Sequence, residues 1–234
     1  MKLDHLYPST TIAAQYVKQF LPDCTKVRFM GSEAMGEELR SNGLEIDGSH
    51  DDPHMLDRET QGFKFDMLAD YKFDPDVGAV ITGLDYGVNY QKLALASCYI
   101  QKGAKWIITN EDDFTMQQGF RVPGNGCLVA AIECTLKNAG GEGLICDKIM
   151  TGKPNKAIID LIRNQHSIPE EDLPKMIMIG DRPNTDIALG NNAGIDSCLV
   201  LTGVVQNEEE VFGWVHQDPV NRPTYVVRSF GEEI

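Results

Sequence analysis

Short runs of apolar residues alternate along the chain with longer stretches in which apolar residues recur every three or four positions. The short runs are rich in β-branched residues, which is typical of buried strands. Strands that alternate with helices in this way predict an α/β fold around a largely parallel sheet. The predicted strands are Lys26–Met30, Val77–Thr82, Trp106–Thr109, Lys175–Ile179, Ser197–Leu201 and Tyr225–Val227.

Three stretches between these strands have the spacing of amphipathic helices. The first has an apolar residue at every fourth position from Ile12 to Phe20, and Ser9 or Thr10 is available as its N-cap. The second and third stretches are residues 128–136 and 155–164. Pro154, directly before the third stretch, suits the start of a helix.

Residues 47–76 differ from the rest of the chain in composition and pattern. They are rich in Asp, Gly, His and Pro, and their apolar residues show no regular period. They predict a loop-rich excursion. The segment from His50 to His54 holds two histidines and two aspartates, which are residue types that bind metals. A short acidic loop of this kind is more often simply solvated, so we assign no metal site to it.

Composition and charge exclude several classes of protein. The formal net charge is −14, which disfavours general binding to nucleic acid or to an anionic membrane surface. No apolar run reaches the roughly 18–20 residues that a membrane-spanning helix needs. None of the six cysteines forms a C-x-x-C pair, so we expect reduced thiols rather than a zinc site or disulfides. We therefore expect a cytoplasmic protein with a small-molecule substrate.

Two aspartates follow the predicted strand 175–179. Asp181 comes directly after Gly180, and Asp186 follows five residues later at the expected start of a helix. Ligands of open α/β sheets lie at the carboxyl ends of the strands, and two carboxylates there suit Mg²⁺. From these residues alone, a plain turn with Asp186 as a helix N-cap is an equally good interpretation.

Lys153 lies in the tight turn Gly152-Lys153-Pro154, between an expected strand and an expected helix. An ammonium in such a turn can bind a phosphate. The turn is not a Walker P-loop, because Asp147 and Pro154 occupy positions where that motif needs Gly and Ser or Thr. A solvent-exposed surface lysine is the alternative.

Taken together, Gly152-Lys153-Pro154 and the later stretch Gly180–Ile187 resemble two motifs of the haloacid dehalogenase superfamily. The second reads G-D-R-x-x-T-D-I, which is similar to the branch of 4-nitrophenylphosphatases, phosphoglycolate phosphatases and pyridoxal-phosphate phosphatases. The likeness extends over residues 5–228. It includes Gly31-Ser32-Glu33, Val80–Asp85, Asn89–Leu93, Thr109-Asn110-Glu111-Asp112, Gly124–Leu128 and Leu201–Val204.

This resemblance implies a Rossmann-like hydrolase core with an inserted α/β cap domain. The core would comprise residues 1–23 and 149–234, and the cap residues 24–148. The implied activity is Mg²⁺-dependent hydrolysis of a small phosphomonoester, such as phosphoglycolate, pyridoxal phosphate or 4-nitrophenyl phosphate, through an aspartyl-phosphate. The resemblance also implies a homodimer formed through the cap.

Carried over by position, the resemblance gives roles to three residues of the core. Lys153 would neutralise the phosphate, Asp181 would bind Mg²⁺, and Asp186 would orient Lys153 or the water shell of the metal. Cations are needed because a carboxylate that attacks a phosphate dianion is repelled by it.

The resemblance also implies substrate contacts from the cap. The candidate residues are Asp85, Tyr86, Asn89, Asn110 and Asp112. Ordinary packing at the ends of the cap strands is an equally good interpretation of the last four.

The nucleophile segment D-x-D-G-T of this family does not occur in the sequence. Asp74-Pro75-Asp76 has the spacing, but it precedes a strand rather than ending one. We therefore expect an N-terminally incomplete core, in which strand 175–179 has an unpaired edge, and a chain that is inactive alone. The alternative is a non-catalytic pseudophosphatase that acts as a cap-mediated interaction protein.

Overall fold

The computed structural model describes residues 5–47, 67–137, 143 and 145–231. The chain divides into two compact units, residues 1–151 and residues 152–234. The segment from His50 to His54, and most of the predicted loop excursion around it, lies outside the described residues.

The first unit is built on a five-stranded parallel sheet with the strand order β2-β1-β3-β4-β7. Its strands are β1 (Lys26–Met30), β2 (Glu45–Ile46), β3 (Val77–Thr82), β4 (Lys105–Ile108) and β7 (Lys148–Met150). An antiparallel hairpin of β5 (Phe114–Gln117) and β6 (Phe120–Pro123) follows β4. The helices are α1 (Ser9–Phe20), α2 (Glu33–Ser41), α3 (Met67–Asp70), α4 (Tyr90–Gln101) and α5 (Asn125–Leu136).

Helices cover both faces of this sheet, as a parallel sheet requires. On one face, Val17 of α1 and Leu39 of α2 pack against Val27 and Ile81 of the sheet. On the other face, α4 and α5 pack against a cluster around the buried Trp106. The alternation of side chains along each strand produces these two apolar faces.

Helix α1 begins differently from the sequence prediction. Ser9 is the first residue of the helix, Pro8 occupies the N-cap position, and no side chain caps the helix. The prediction of Ser9 or Thr10 as N-cap is therefore wrong. Alanines and Val17 of α1 pack in the cluster that includes β1 and β3, so α1 belongs to the first compact unit, whereas the resemblance had grouped residues 1–23 with the core.

The second unit contains a three-stranded parallel sheet with the strand order β10-β9-β8. Buried Ile187 and Leu199 form its centre together with Val205 and Val211. The strands are β8 (Ile177–Gly180), β9 (Asp196–Val200) and β10 (Tyr225–Val227), and the helices are α6 (Ala157–His166), α7 (Ala188–Ala193) and α8 (Glu208–Gln217). Two 3₁₀ turns (Glu170–Lys175 and Pro219–Asn221) and one π-helical turn (Pro183–Ile187) complete it.

Strand β8 starts two residues later than predicted, because Lys175 ends a 3₁₀ turn. Among the described residues it pairs only with β9 and so forms one edge of the three-stranded sheet. Ile177 and Ile179 are exposed along it.

Within the described ranges, no helix is both long enough and apolar enough to cross a bilayer.

Candidate functional site

Asp181 lies at the carboxyl end of β8, directly after Gly180. Its Oδ2 accepts the backbone N–H of Val204 at 2.8 Å. Gly203 leaves room for this carboxylate, because a Cβ at that position would lie 1.8 Å from Oδ2. Oδ1 accepts no hydrogen bond from the part of the chain that the structure describes. Asp181 therefore has one oxygen available to a cation.

Asp186 is buried in the π-helical turn Pro183–Ile187. Its Oδ2 accepts the backbone N–H groups of Asp181 at 3.2 Å and Arg182 at 3.1 Å. A Cβ on Gly180 would lie 2.3 Å from the Asp186 carboxyl carbon, so the glycine permits this close approach. These bonds run back to the end of β8 rather than forward into α7, which differs from the N-cap interpretation.

Lys153 lies in the turn before α6. Its side chain reaches the Asp186 carboxylate. Its Nζ is 2.6 Å from Oδ1 of Asp186, and the lysine side chain is 46% exposed. The Lys153–Pro154 peptide bond is cis, and Asn192 donates a side-chain hydrogen bond to the Pro154 carbonyl at 3.0 Å. The ammonium is thus held at Asp186 and remains open to solvent.

The charge and the donor set of this cluster fit a divalent cation in part. Two carboxylates and one ammonium leave a formal charge of −1, and Asp186 uses both of its oxygens on Lys153 and the backbone. Mg²⁺ in proteins is often held by one or two carboxylates and several waters. Asp181 fits as one such ligand, although no group of three or more His, Cys, Asp or Glu side chains in the described segments is arranged to hold a metal.

The candidate residues of the first unit follow two neighbouring strands. Asp85, Tyr86 and Asn89 come after β3, and Asn110 and Asp112 come after β4. These strands are parallel neighbours, so both loops lie at the carboxyl edge of the five-stranded sheet. The structure therefore places the five residues that the sequence singled out in this unit along two loops at the same edge of the sheet.

The loop after β3 is tightly organised. The Asp85 carboxylate is buried and paired with the buried ammonium of Lys92. The Asn89 side chain accepts the backbone N–H of Lys92 at 2.9 Å and so caps α4. Tyr86, by contrast, is exposed.

The loop after β4 is held by the start of α5. The Asn125 side chain donates to the backbone carbonyl of Asn110 at 2.7 Å, and the N–H of Gly126 donates to the carbonyl of Asp112 at 2.9 Å. A Cβ on Gly124 would lie 2.1 Å from the Asp112 carbonyl oxygen. The amide oxygen of Asn110 is buried, and no described residue bonds to it.

Sequence reasoning missed several residues that shape these sites. Gly203 and Val204 were noted only as part of a family-like stretch, yet they fix the Asp181 carboxylate. Lys92 was noted in the same way, and Asn125 only within a glycine-containing motif. The sequence does contain a signal for Lys92, because this lysine lies in the first turn of a largely apolar helix. A lysine is seldom buried without a partner.

The chain is similar to several known proteins. A family model described as HAD-hydrolase-like matches residues 150–232. The chain is 32% identical to glycerol-3-phosphate phosphatase of Gallus gallus, over 97% of this chain and 70% of the relative. It is 33% identical to 4-nitrophenylphosphatase of Schizosaccharomyces pombe, over 99% of this chain and 72% of the relative.

A solved structure is also similar. The glycerol phosphate phosphatase of Mycobacterium tuberculosis in complex with magnesium matches with a TM-score of 0.69 and 27% identity. The match covers 94% of this chain and 55% of that protein, so the chain spans about half the length of this relative and about 70% of the other two.

These matches define the class: the chain belongs to the haloacid dehalogenase superfamily, and its fold is that of the α/β phosphatases of this superfamily. Within it, the chain falls in the branch that contains the 4-nitrophenylphosphatases and the glycerol-3-phosphate and phosphoglycolate phosphatases.

Proposed function

We propose that the protein is built for Mg²⁺-dependent hydrolysis of small phosphomonoesters, with phosphoglycolate, pyridoxal phosphate and 4-nitrophenyl phosphate as candidate substrates. The observation that carries the proposal is the cluster of Lys153, Asp186 and Asp181 at the carboxyl end of β8. An exposed ammonium fixed by a buried carboxylate, beside a carboxylate with an available oxygen, suits a phosphate and its metal ion.

Lys153 is the phosphate-binding residue of this proposal. Its ammonium has donors left after the bond to Asp186, because a lysine carries three N–H groups. Asp186 holds the ammonium at one point, so the lysine loses little side-chain entropy when phosphate binds. The positive charge reduces the repulsion between a phosphate dianion and an attacking anion.

Asp181 is the residue that would hold Mg²⁺. Its fixed Oδ2 and available Oδ1 orient it as a single oxygen ligand. Bound Mg²⁺ would supply charge neutralisation at the phosphoryl oxygens. The backbone N–H of Val204 keeps the carboxylate in place in the absence of the ion.

We propose in addition that the chain of 234 residues is inactive alone, since it contains no D-x-D-G-T segment to supply the attacking carboxylate. Binding of a phosphomonoester does not require that carboxylate. Binding and turnover therefore test two separate parts of the proposal.

The experiment measures both quantities on the same samples. Binding of orthophosphate and of 4-nitrophenyl phosphate is followed by NMR, and phosphate release from the three candidate substrates is followed with Mg²⁺ or with EDTA. Variants Lys153→Met and Asp181→Asn are compared with the unchanged chain. Lys156→Met, at an exposed lysine of the same unit, is the control.

We expect binding that is lost in Lys153→Met, kept in Lys156→Met and not followed by turnover. Turnover that needs Mg²⁺ and Asp181 would support the phosphatase and disprove the inactivity. A folded chain that neither binds nor hydrolyses these compounds would overturn the proposal and favour a non-catalytic interaction protein.

We also propose a homodimer formed through the cap, residues 24–148. Light scattering of the purified chain should then give twice the mass of one chain, and a mass of one chain would contradict it.

A further inference from the structure

The first unit contains a cavity that the proposed phosphate chemistry does not use. It has a volume of about 390 Å³ and lies at the edge of the five-stranded sheet where β4 and β7 begin. Lys105, the first residue of β4, and Asp147, directly before β7, both line it. The candidate substrate residues of this unit follow the carboxyl ends of β3 and β4, so the cavity lies at the opposite edge of the sheet.

Hydrogen bonds fix the backbone on both sides of the cavity. On one side, the N–H of Gly103 donates to the Ile100 carbonyl at 3.0 Å and closes the turn from α4 into β4. Gly103 has a φ of 104°, which residues with a side chain rarely adopt. On the other side, the N–H of Ile145 donates to the Leu136 carbonyl at the end of α5 at 3.0 Å. The cavity is therefore formed before any ligand arrives, which lowers the entropy that binding costs.

Isoleucines supply the apolar part of the lining. Ile100 is buried, Ile149 is half-buried and Ile145 is 52% exposed, so the apolar surface extends from the interior to solvent. The volume lies at the low end of the range of about 300–1,000 Å³ that is typical of small-molecule sites. The cavity therefore suits a small ligand with an apolar group.

Two exposed side chains of opposite charge, Lys105 and Asp147, line the same cavity. Trp106 of β4 pairs with Lys148 of β7, so the residues directly before them are neighbours at the start of the two strands. The alternation of side chains along a strand places both on the same face as Ile149. Neither charged side chain forms an ion pair or a hydrogen bond with a residue that the structure describes. Both charges are therefore available to a ligand.

This combination is complementary to a zwitterion with an apolar side chain. A carboxylate of the ligand can bind the Lys105 ammonium while its ammonium binds the Asp147 carboxylate. A ligand with one charge alone would gain one contact and be repelled by the other side chain. Exposed charges are ordinary on a protein surface, but here an ammonium and a carboxylate share one preformed cavity with an apolar wall.

We propose that this cavity is a binding site for a free α-amino acid with a branched apolar side chain. Lys105 binds its carboxylate, Asp147 binds its ammonium, and the isoleucines contact its side chain. The site lies within the first unit, and the proposal does not depend on the phosphatase function.

The test is a titration of the full chain with L-leucine, in which the isoleucine methyl resonances are followed by NMR. Two analogues each lack one charge of leucine: 4-methylpentanoate has no ammonium, and 3-methylbutylamine has no carboxylate. We expect L-leucine to give saturable shifts at Ile100, Ile145 and Ile149. Each analogue should bind about fivefold more weakly, because it loses one charge-assisted contact. No saturable shift with L-leucine, or equal affinities for all three compounds, would overturn the proposal.

Two variants assign the charges to their partners. Lys105→Met should weaken L-leucine binding about fivefold without weakening the binding of 3-methylbutylamine, which has no carboxylate to lose. Asp147→Asn should weaken L-leucine binding by a similar factor without weakening the binding of 4-methylpentanoate. Matched controls at exposed residues of the same unit are Lys18→Met and Asp23→Asn, which should bind all three compounds as the unchanged chain does.

A variant that weakens all three compounds equally would contradict the assigned contacts, and so would controls that lose as much affinity as the variants. Thermal unfolding of each variant shows whether it is folded. Should one of them not fold, the comparison of leucine with its two analogues on the unchanged chain decides.

Discussion

Nζ of Lys153 lies 2.6 Å from one oxygen of the Asp186 carboxylate, and the other oxygen accepts the backbone N–H of Asp181. One buried carboxylate therefore connects the phosphate-binding lysine of our proposal to the end of the strand that carries the proposed metal ligand. The connection makes the positions of Lys153 and Asp181 depend on the same side chain.

Replacing Asp186 by alanine should lower the free energy of unfolding by about 1–3 kcal/mol, because two backbone N–H groups lose their acceptor. Asp186→Asn should cost less, since its amide oxygen can still accept those bonds. Chemical denaturation measures both. The control is Asp160→Asn at an exposed pair, which should stay within about 0.5 kcal/mol of the unchanged chain. Equal effects of the two Asp186 variants would contradict the role of the N–H bonds.

Gly203→Ala should displace the Asp181 carboxylate, because the new Cβ would lie 1.8 Å from Oδ2. We expect a loss of about 1–3 kcal/mol of stability from the resulting strain. Gly213→Ala is a matched control, since nothing lies within 4 Å of its Cβ in the interior of α8. That variant should be more stable by about 0.5–1 kcal/mol, because alanine is the better helix former. If both variants had the same stability, the close approach at Gly203 would be disproved.

Mg²⁺ binding to the chain should be weak, because Asp181 offers one oxygen and Asp186 is already engaged. A calorimetric titration should show no micromolar binding, and the residual binding seen by NMR should disappear in Asp181→Asn. Asp196→Asn, at an exposed aspartate of the same unit, is the control and should leave binding unchanged. Micromolar affinity in the unchanged chain would mean that further ligands take part.

Tyr99 gives the first unit a pH-dependent contribution to stability. Burial, followed by its 2.7 Å hydrogen bond to Asp47, raises the pKa of the Tyr99 hydroxyl above its ordinary value. A group with a raised pKa in the folded state contributes fully below its unfolded pKa, about 10, and loses this contribution as the pH rises further. Tyr99→Phe should therefore cost about 1–3 kcal/mol at pH 7, and its difference from the unchanged chain should narrow above pH 10.

Urea unfolding at pH 7 and at several values from pH 9 to 11 measures this effect. Tyr86→Phe, at an exposed ring, should change stability by less than about 0.5 kcal/mol at pH 7. A constant difference between Tyr99→Phe and the unchanged chain over this pH range would refute the prediction.

Local sequence patterns predicted the most apolar strands well. The bounds of β1, β3 and β10 agree with the prediction, and β4 and β9 are shifted by one residue. The β5–β6 hairpin was missed, because each of its strands has only four residues, and the apolar alternation in so short a run is not distinctive. Helices α2 and α8 were also missed, because each has at most ten residues, so a helical period repeats over only roughly three turns or fewer.

The three residues of the phosphate cluster could be selected because their motifs are contiguous in the sequence. Their supports could not be selected in the same way. Val204 reaches Asp181 across 23 positions of the chain, and Lys153 reaches Asp186 across 33. Only tertiary structure brings such pairs together, and no local period encodes them.

The exposed edge of β8 has a consequence for the behaviour of the purified protein. Since β8 pairs only with β9 among the residues that the structure describes, the backbone N–H and C=O groups along its other edge, beside Ile177 and Ile179, form a template on which another extended chain can add a strand. Such association grows with concentration, and the strongly negative charge of the chain opposes it at low ionic strength. Concentrated samples in high salt should therefore be the first to become turbid.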